Sequence, residues 1–158
     1  MDNFTIKLNH SKKRLSLADY MLTNTYSMLK EPKILVSVLE NIFLAFNESL
    51  SSLLDFERAF KRVPSFGTSF ESMSNVYISK VQNRYKLDKS FIKVMNEIKE
   101  TIDYHKSSPV EFERKEKIVM ANERYDLKTI SKDKVYAYLM KAKEFAKKVE
   151  TIQGEYND

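Results

Sequence analysis

The chain has no cysteine, so disulfides and thiolate chemistry are excluded. Any zinc site would need histidine and carboxylate ligands, and the only histidines are His10 and His105. The sequence also holds only two glycines and three prolines among 158 residues. Because so few residues interrupt the backbone, we expect long helices and not short strands joined by turns.

Several functional signatures are also missing. The N-terminal sequence MDNFTIKLNHSKKRL places its basic cluster after a short mixed segment, which is the wrong order for a secretory signal. No run approaches the roughly 18 apolar residues of a membrane span, so we expect a cytoplasmic protein without a membrane partner. The short motifs of nucleotide-binding loops, zincins, EF-hands and α/β-hydrolases do not occur. We therefore expect neither a metal nor a cofactor.

Apolar residues recur at helical spacing along the first third of the chain. The first periodic segment begins after Ser11, which is a plausible N-cap, and it ends before Pro32. A second helix is predicted over about 33–62, and the short link makes the two an antiparallel hairpin. Four apolar residues lie off its main face and favour a homodimer: Ile34, Val38, Leu44 and Leu54.

A third helical segment should begin at Thr68 and Glu71, which fit a capping box. Its inward-facing apolar stripe is interrupted by Arg84 and Asp88. One interpretation is a single long helix with a polar i,i+4 pair in its seam. The other is two helices with Asp88 as the N-cap of the second. We favour the second, because charged residues are rarely buried fully unless they are paired.

A small β-hairpin is predicted at about 117–130, where the segments KIVMA and YDLKTI are separated by NER. Ser131 then caps a final helix over about 132–152, which Gly154 closes. The predicted fold class is mainly all-α. Residues 1–158 form one domain, an antiparallel bundle of four or five helices with one small β-hairpin before the last helix.

The stretch HKSSPVEFERKEKIV is the most unusual part of the sequence, because a predicted helix stops at Ser-Ser-Pro and six charged residues follow. In a structural interpretation, His105 lies at the helix C-terminus, where the helix dipole favours a protonated imidazole. Phe112 would then fill the open end of the bundle. In a functional interpretation, His105 shares a site with Arg114, whose guanidinium could hold a phosphate by two hydrogen bonds.

The candidate binding surface extends from this loop to the hairpin. Its predicted binding residues carry or can gain positive charge: His105, Lys106, Arg114, Lys115, Lys117, Arg124 and Lys128. A net charge of +5 and a pI near 9.2 suit contact with nucleic acid, and they also suit an ordinary soluble protein. We expect a non-catalytic binding protein whose partner is nucleic acid, with RNA favoured over DNA, or an acidic protein.

The order of a helical hairpin, a further helical arm, a capped break and the last helix YAYLMKAKEFAKKVE resembles the HEPN superfamily over about 11–152. The resemblance implies RNA cleavage by paired protomers, or a role as partner of a nucleotidyltransferase. HEPN ribonucleases carry an arginine followed four to six residues later by histidine, and no arginine here has that partner. The alternative function is therefore a metal-independent ribonuclease with an unconventional set, His105, Arg114 and Tyr104.

Overall fold

The computed structural model describes residues 2–108, 110–114 and 117–157, which contain five helical rods and a three-stranded sheet. Two of the rods include a π-helical turn, a wider turn that often marks a local irregularity in a helix. In chain order the elements are α1 (Asn3–Tyr20), a π turn (Met21–Thr25), α2 (Tyr26–Leu29), α3 (Pro32–Ala59), α4 (Phe70–Val76), a second π turn (Tyr77–Val81), α5 (Ser90–Ser107), β1 (Val110–Arg114), β2 (Lys117–Ala121), β3 (Leu127–Ser131) and α6 (Lys132–Asn157).

Helices α1 and α3 form the predicted antiparallel hairpin. Ser52, near the end of α3, donates a hydrogen bond of 2.6 Å to the carbonyl of Phe4 at the start of α1. Arg14 pairs with Glu48 across the middle of the two helices, at 2.5 Å. The mainly all-α helical bundle is therefore confirmed.

Helix α6 lies against both α3 and α5. The ring of Phe145 contacts Phe46 of α3 at 5.7 Å and Phe91 of α5 at 5.2 Å. Gln153 donates a 2.8 Å hydrogen bond to Ser52 of α3. Both contacts with α3 join residues about equally far apart in sequence, so these two helices run parallel across the bundle. Phe91 of α5 contacts Phe145 of α6, and the later residue Glu97 accepts a hydrogen bond from the earlier residue Tyr138, so that pair is antiparallel.

The prediction of Ser11 as an N-cap is wrong. Helix α1 already begins at Asn3, and Ser11 lies fully buried inside it. Its hydroxyl donates a 2.7 Å hydrogen bond to the carbonyl of Ala45 in α3. Leu8 and Leu15 extend the buried stripe on either side of it. A small polar residue at a helix contact therefore gave the same signal as a cap.

Helix α3 packs at the centre of the bundle. By length and composition it is the one helix in the described part of the chain that could cross a membrane, although core helices of soluble proteins and signal sequences have the same length and composition. Val38 and Leu54 are completely buried within the chain, and of the predicted second stripe only Leu44 is exposed, by 45%. The exposed second apolar stripe that favoured a homodimer is therefore absent from the described residues of α3. The homodimer stays a prediction.

Helices α4 and α5 are separated, as the favoured interpretation predicted, but the residue that directly precedes α5 is Lys89, one residue later than the predicted N-cap Asp88. The carboxylate of Asp88 accepts a 2.7 Å hydrogen bond from the backbone N–H of Ser90, and this bond lowers the pKa of the Asp88 carboxyl. Arg84 leaves the seam and pairs with Glu57 of α3. The cap of α4 is Ser69, whose hydroxyl accepts from the N–H of Ser72, one residue later than predicted.

The predicted hairpin is confirmed as β2 and β3, which pair antiparallel. The segment of β1 was expected to be a loop. It forms a further strand that pairs with β2, so the strand order is β1-β2-β3. The prediction that Gly154 closes the last helix is also wrong. Helix α6 continues through Gly154 to Asn157, because glycine lowers helix stability without forcing an end.

Candidate functional site

The sheet has two chemically different faces, because successive side chains of a strand point to opposite sides. The inner face packs on the helices through Ile118, Met120 and Ile130, all at most 1% exposed. Cross-strand partners lie on the same face, so the register also places Glu111, Glu113 and Lys128 on the inner side. The outer face is the opposite side, and it carries Phe112, Arg114, Lys117, Val119, Leu127 and Thr129.

An apolar row crosses the outer face. Phe112 of β1 pairs with Val119 of β2, and Val119 pairs with Thr129 of β3. The Phe112 ring is 45% exposed and Leu127 is 68% exposed. The expectation that Phe112 fills the end of the bundle is therefore wrong, since the ring stands on the solvent side of an edge strand. The row offers a flat surface on which a planar ligand could stack.

A basic row lies beside the apolar one. Arg114 and Lys117 are direct cross-strand partners, and Lys117 pairs in turn with Ser131. Both cations are exposed, and neither forms an ion pair with another residue of the described part of the chain. The outer face of the three strands has no acidic residue at its described positions. The strand register therefore places Arg114 and Lys117 on the opposite face from the carboxylates of β1.

His105 and Arg114 are not brought together. The imidazole Nδ1 of His105 lies 2.7 Å from a carboxylate oxygen of Glu111 on β1. The contact has ion-pair distance without the direction of a hydrogen bond. Arg114 follows Glu111 by an odd number of residues on the strand, so its side chain points to the other face. The imidazole of His105 and the guanidinium of Arg114 therefore lie on different faces of the sheet.

Tyr104 and Lys128 attach the sheet to α5. The Tyr104 hydroxyl donates a short hydrogen bond to the backbone carbonyl of Asp126. The ammonium of Lys128 lies 5.9 Å from the centre of the Tyr104 ring and 4.0 Å from Glu100. Both predicted site residues therefore have structural contacts on the inner side, and neither reaches the outer face.

The turn between β2 and β3 is organised by Asn122, which the sequence analysis did not single out. Its side-chain oxygen accepts hydrogen bonds from the N–H groups of Arg124 and Asp126, both at 2.9 Å. This arrangement places Tyr125 at the tip, 80% exposed and with φ of 62°. A cleft of about 380 Å³ lies beside the turn, between Ser107 and residues 122–126. Both acidic and basic groups line it, so it has no single charge preference.

The remaining predicted residues lie elsewhere. Lys106 is exposed on α5 and borders a groove towards Glu40 and Leu44 of α3. Lys115 lies outside the described residues. Within the described ranges, no three His, Asp or Glu side chains come together as metal ligands.

Arg114 and Lys117 were predicted to be binding residues, but their neighbours Phe112 and Val119 were not. The signal was present as the alternation V-E-F-E-R, in which every second residue changes character as in a half-exposed strand. It was overlooked because the segment is short and rich in charge. Comparisons with protein-family models, curated proteins and solved structures find no match to this chain, so the site is interpreted from its own residues.

Proposed function

We propose that this protein is a non-catalytic nucleic-acid-binding protein that holds single-stranded RNA on the outer face of its sheet. The observation that carries the proposal is the juxtaposition of the exposed Phe112 ring with the cross-strand pair Arg114 and Lys117. Single-stranded RNA offers unstacked bases for an aromatic ring and phosphates for neighbouring cations.

A single strand fits this surface better than the other partners considered. A duplex hides its base faces, and the outer face is a flat sheet instead of a helix or ribbon that could enter a groove. An acidic protein would pair with the cations. It would leave the apolar side chains of the outer face, Phe112, Val119 and Leu127, without a complementary group. The resemblance to HEPN proteins adds weight to RNA over DNA.

Binding without cleavage is the favoured form of this function. The three residues of the ribonuclease alternative do not converge: His105 contacts Glu111, the Tyr104 hydroxyl is used by a backbone carbonyl, and Arg114 points to the other face. General acid–base catalysis requires such groups within hydrogen-bond reach of one reacting centre.

The test is fluorescence anisotropy with a labelled single-stranded RNA of about 8 nucleotides, a length within the usual range for one binding surface. Phe112→Ala should weaken binding by about 1–3 kcal/mol, which is the usual value of one stacked base. Arg114→Ala with Lys117→Ala should lower the slope of log affinity against log salt by about 1.4, since each phosphate contact on a single strand contributes about 0.7.

Matched control variants separate this surface from general charge and aromatic effects. Tyr20→Ala removes a ring that is 61% exposed on α1, and Lys148→Ala removes an exposed cation on α6. Both should bind RNA like the unmodified protein. Equal losses in the control and sheet variants would contradict the proposal. The RNA should be recovered intact, and cleavage that disappears in His105→Ala would establish the ribonuclease alternative instead.

A further inference from the structure

The end of the bundle opposite the sheet is its most basic part. Here α3 ends, the second π turn ends and α5 begins. Residues 57–62 and 80–93 contain eight cations and two carboxylates, and the carboxylates of Asp2 and Asp55 lie at the edge of this group, where they line a cleft with Arg58. We call these cations the basic end: Arg58, Lys61, Arg62, Lys80, Arg84, Lys86, Lys89 and Lys93.

A buried carboxylate fixes the centre of the basic end. Glu57 is completely buried, and one of its oxygens accepts hydrogen bonds from Arg62 and Arg84, the latter at 3.0 Å. Arg84 also donates to the backbone carbonyl of Arg62 at 3.4 Å. The two guanidiniums share one negative charge and remain partly exposed, with 21% and 35% of their side-chain surfaces open to solvent. A net positive charge is thus held in place.

Two lysines of the basic end occupy a backbone conformation that does not suit them. Lys61 has φ of 57° and Lys86 has φ of 51°, in the left-handed region where glycine and asparagine are favoured. A lysine in this region costs on the order of 1 kcal/mol. Both side chains are exposed. A lysine is therefore present at two positions where the backbone conformation favours glycine or asparagine.

Two more lysines stand at an unfavourable helix end. Lys89 precedes α5 and Lys93 lies in its first turn, where the helix dipole is positive and opposes cations. The first turn of α5 contains no acidic residue. The carboxylate of Asp88 accepts a hydrogen bond from the N–H of Ser90 and offsets the dipole, so the positive charge of this part of the surface comes from the two lysines.

We propose that the basic end is a second RNA contact, which binds the phosphate backbone of a strand whose other part lies on the outer face. This inference rests on the proposed RNA-binding function. The 18 residues of α5 separate the two surfaces by about 27 Å. The basic end therefore contributes to strands long enough to reach from one surface to the other, and a strand of about 4 nucleotides that lies on the outer face is too short to do so.

The test compares Lys61→Asn/Lys86→Asn with the unmodified protein on single-stranded RNAs of about 4 and about 24 nucleotides, lengths below and above the separation of the two surfaces. Asparagine tolerates the left-handed conformation, so the urea midpoint should not fall. With the long RNA, the slope of log affinity against log salt should decrease by about 1.4. Binding of the short RNA should stay unchanged.

Three outcomes distinguish this inference from the function on which it rests. If the double variant leaves the long-RNA slope unchanged while the Phe112 variant loses affinity, the basic end is not a contact and the proposed function stands. If only the double variant affects RNA binding, the outer face is not the site and the basic end is. An equal decrease in the control Lys147→Gln/Lys148→Gln, or tighter binding of the basic end to phosphatidylserine vesicles than to RNA, would overturn the inference.

Discussion

The buried carboxylate of Glu57 gives the sharpest prediction for stability. It lies at the end of α3 and receives hydrogen bonds from Arg62, in the following loop, and from Arg84, in the segment before α5. It also affects Tyr85, since burial and then the hydrogen bond with Glu57 raise the pKa of that phenol to about 12. One side chain thus joins the end of α3 and the loop after it to the segment before α5, and Glu57→Gln tests how much this connection contributes.

The expected loss follows from the geometry. Glutamine keeps the size of the side chain but removes the charge, so two charge-assisted hydrogen bonds are weakened and two guanidiniums lose their shared counter-ion. Hydrogen bonds to charged groups contribute about 1.5–3 kcal/mol each, and breaking a buried ion pair costs about 3–5 kcal/mol. We therefore expect the free energy of unfolding to fall by about 3–5 kcal/mol. For a chain of this size the melting temperature should fall by about 10 °C.

Urea denaturation followed by circular dichroism measures the loss, with Glu48→Gln as the matched control. Glu48 pairs with Arg14 but keeps 21% of its side chain exposed, so its ion pair contributes about 1 kcal/mol or less. A double-mutant cycle with Arg84→Ala then isolates the pair, and we expect a coupling energy of about 2 kcal/mol. Equal midpoint shifts for Glu57→Gln and Glu48→Gln would refute the role assigned to the buried carboxylate.

Two further predictions concern α6. Gly154 lies inside this helix and a methyl group at its Cβ position meets no atom within 4 Å, so Gly154→Ala should raise the free energy of unfolding by about 1 kcal/mol in urea denaturation; no change or a loss would contradict its helical position. Burial, followed by Glu97, raises the pKa of Tyr138 from 10.0 to about 12. The neutral phenol thus stabilises the folded state fully below pH 10 and less as the pH rises towards 12. Tyr138→Phe should reduce this alkaline loss of stability, and an identical pH profile for the variant would count against it.

The fold was largely predictable because long helices repeat their pattern many times. Helix α3 places a buried residue at nearly every expected position from Leu35 to Phe56, so the error at any one position is averaged out. Boundaries are harder, since they depend on single residues. Serine is a preferred N-cap residue. The hydroxyl of Ser11 instead donates to the carbonyl of Ala45, a contact that depends on the position of the neighbouring helix.

The site was less predictable because its contacts join distant segments. Arg114 and Lys117 were identified as cations, but their adjacency and their common face follow from the register of β1 on β2. A shift of one residue would send all these side chains to the opposite face, and the short alternation V-E-F-E-R does not name the partner strand. The same holds for Glu57, whose partner Arg84 comes from another part of the chain.

The central claim is that RNA lies on the outer face of the sheet and not on its inner side. Nuclear magnetic resonance of the methyl groups and aromatic rings, recorded while a single-stranded RNA of about 8 nucleotides is added, tests it directly. We expect the signals of the Phe112 ring and the Val119 methyl groups to shift because bases stack beside them, while the signal of the buried Met120 methyl group on the other face stays unchanged. Shifts centred on His105 and Glu111, with the Phe112 signals unchanged, would contradict it.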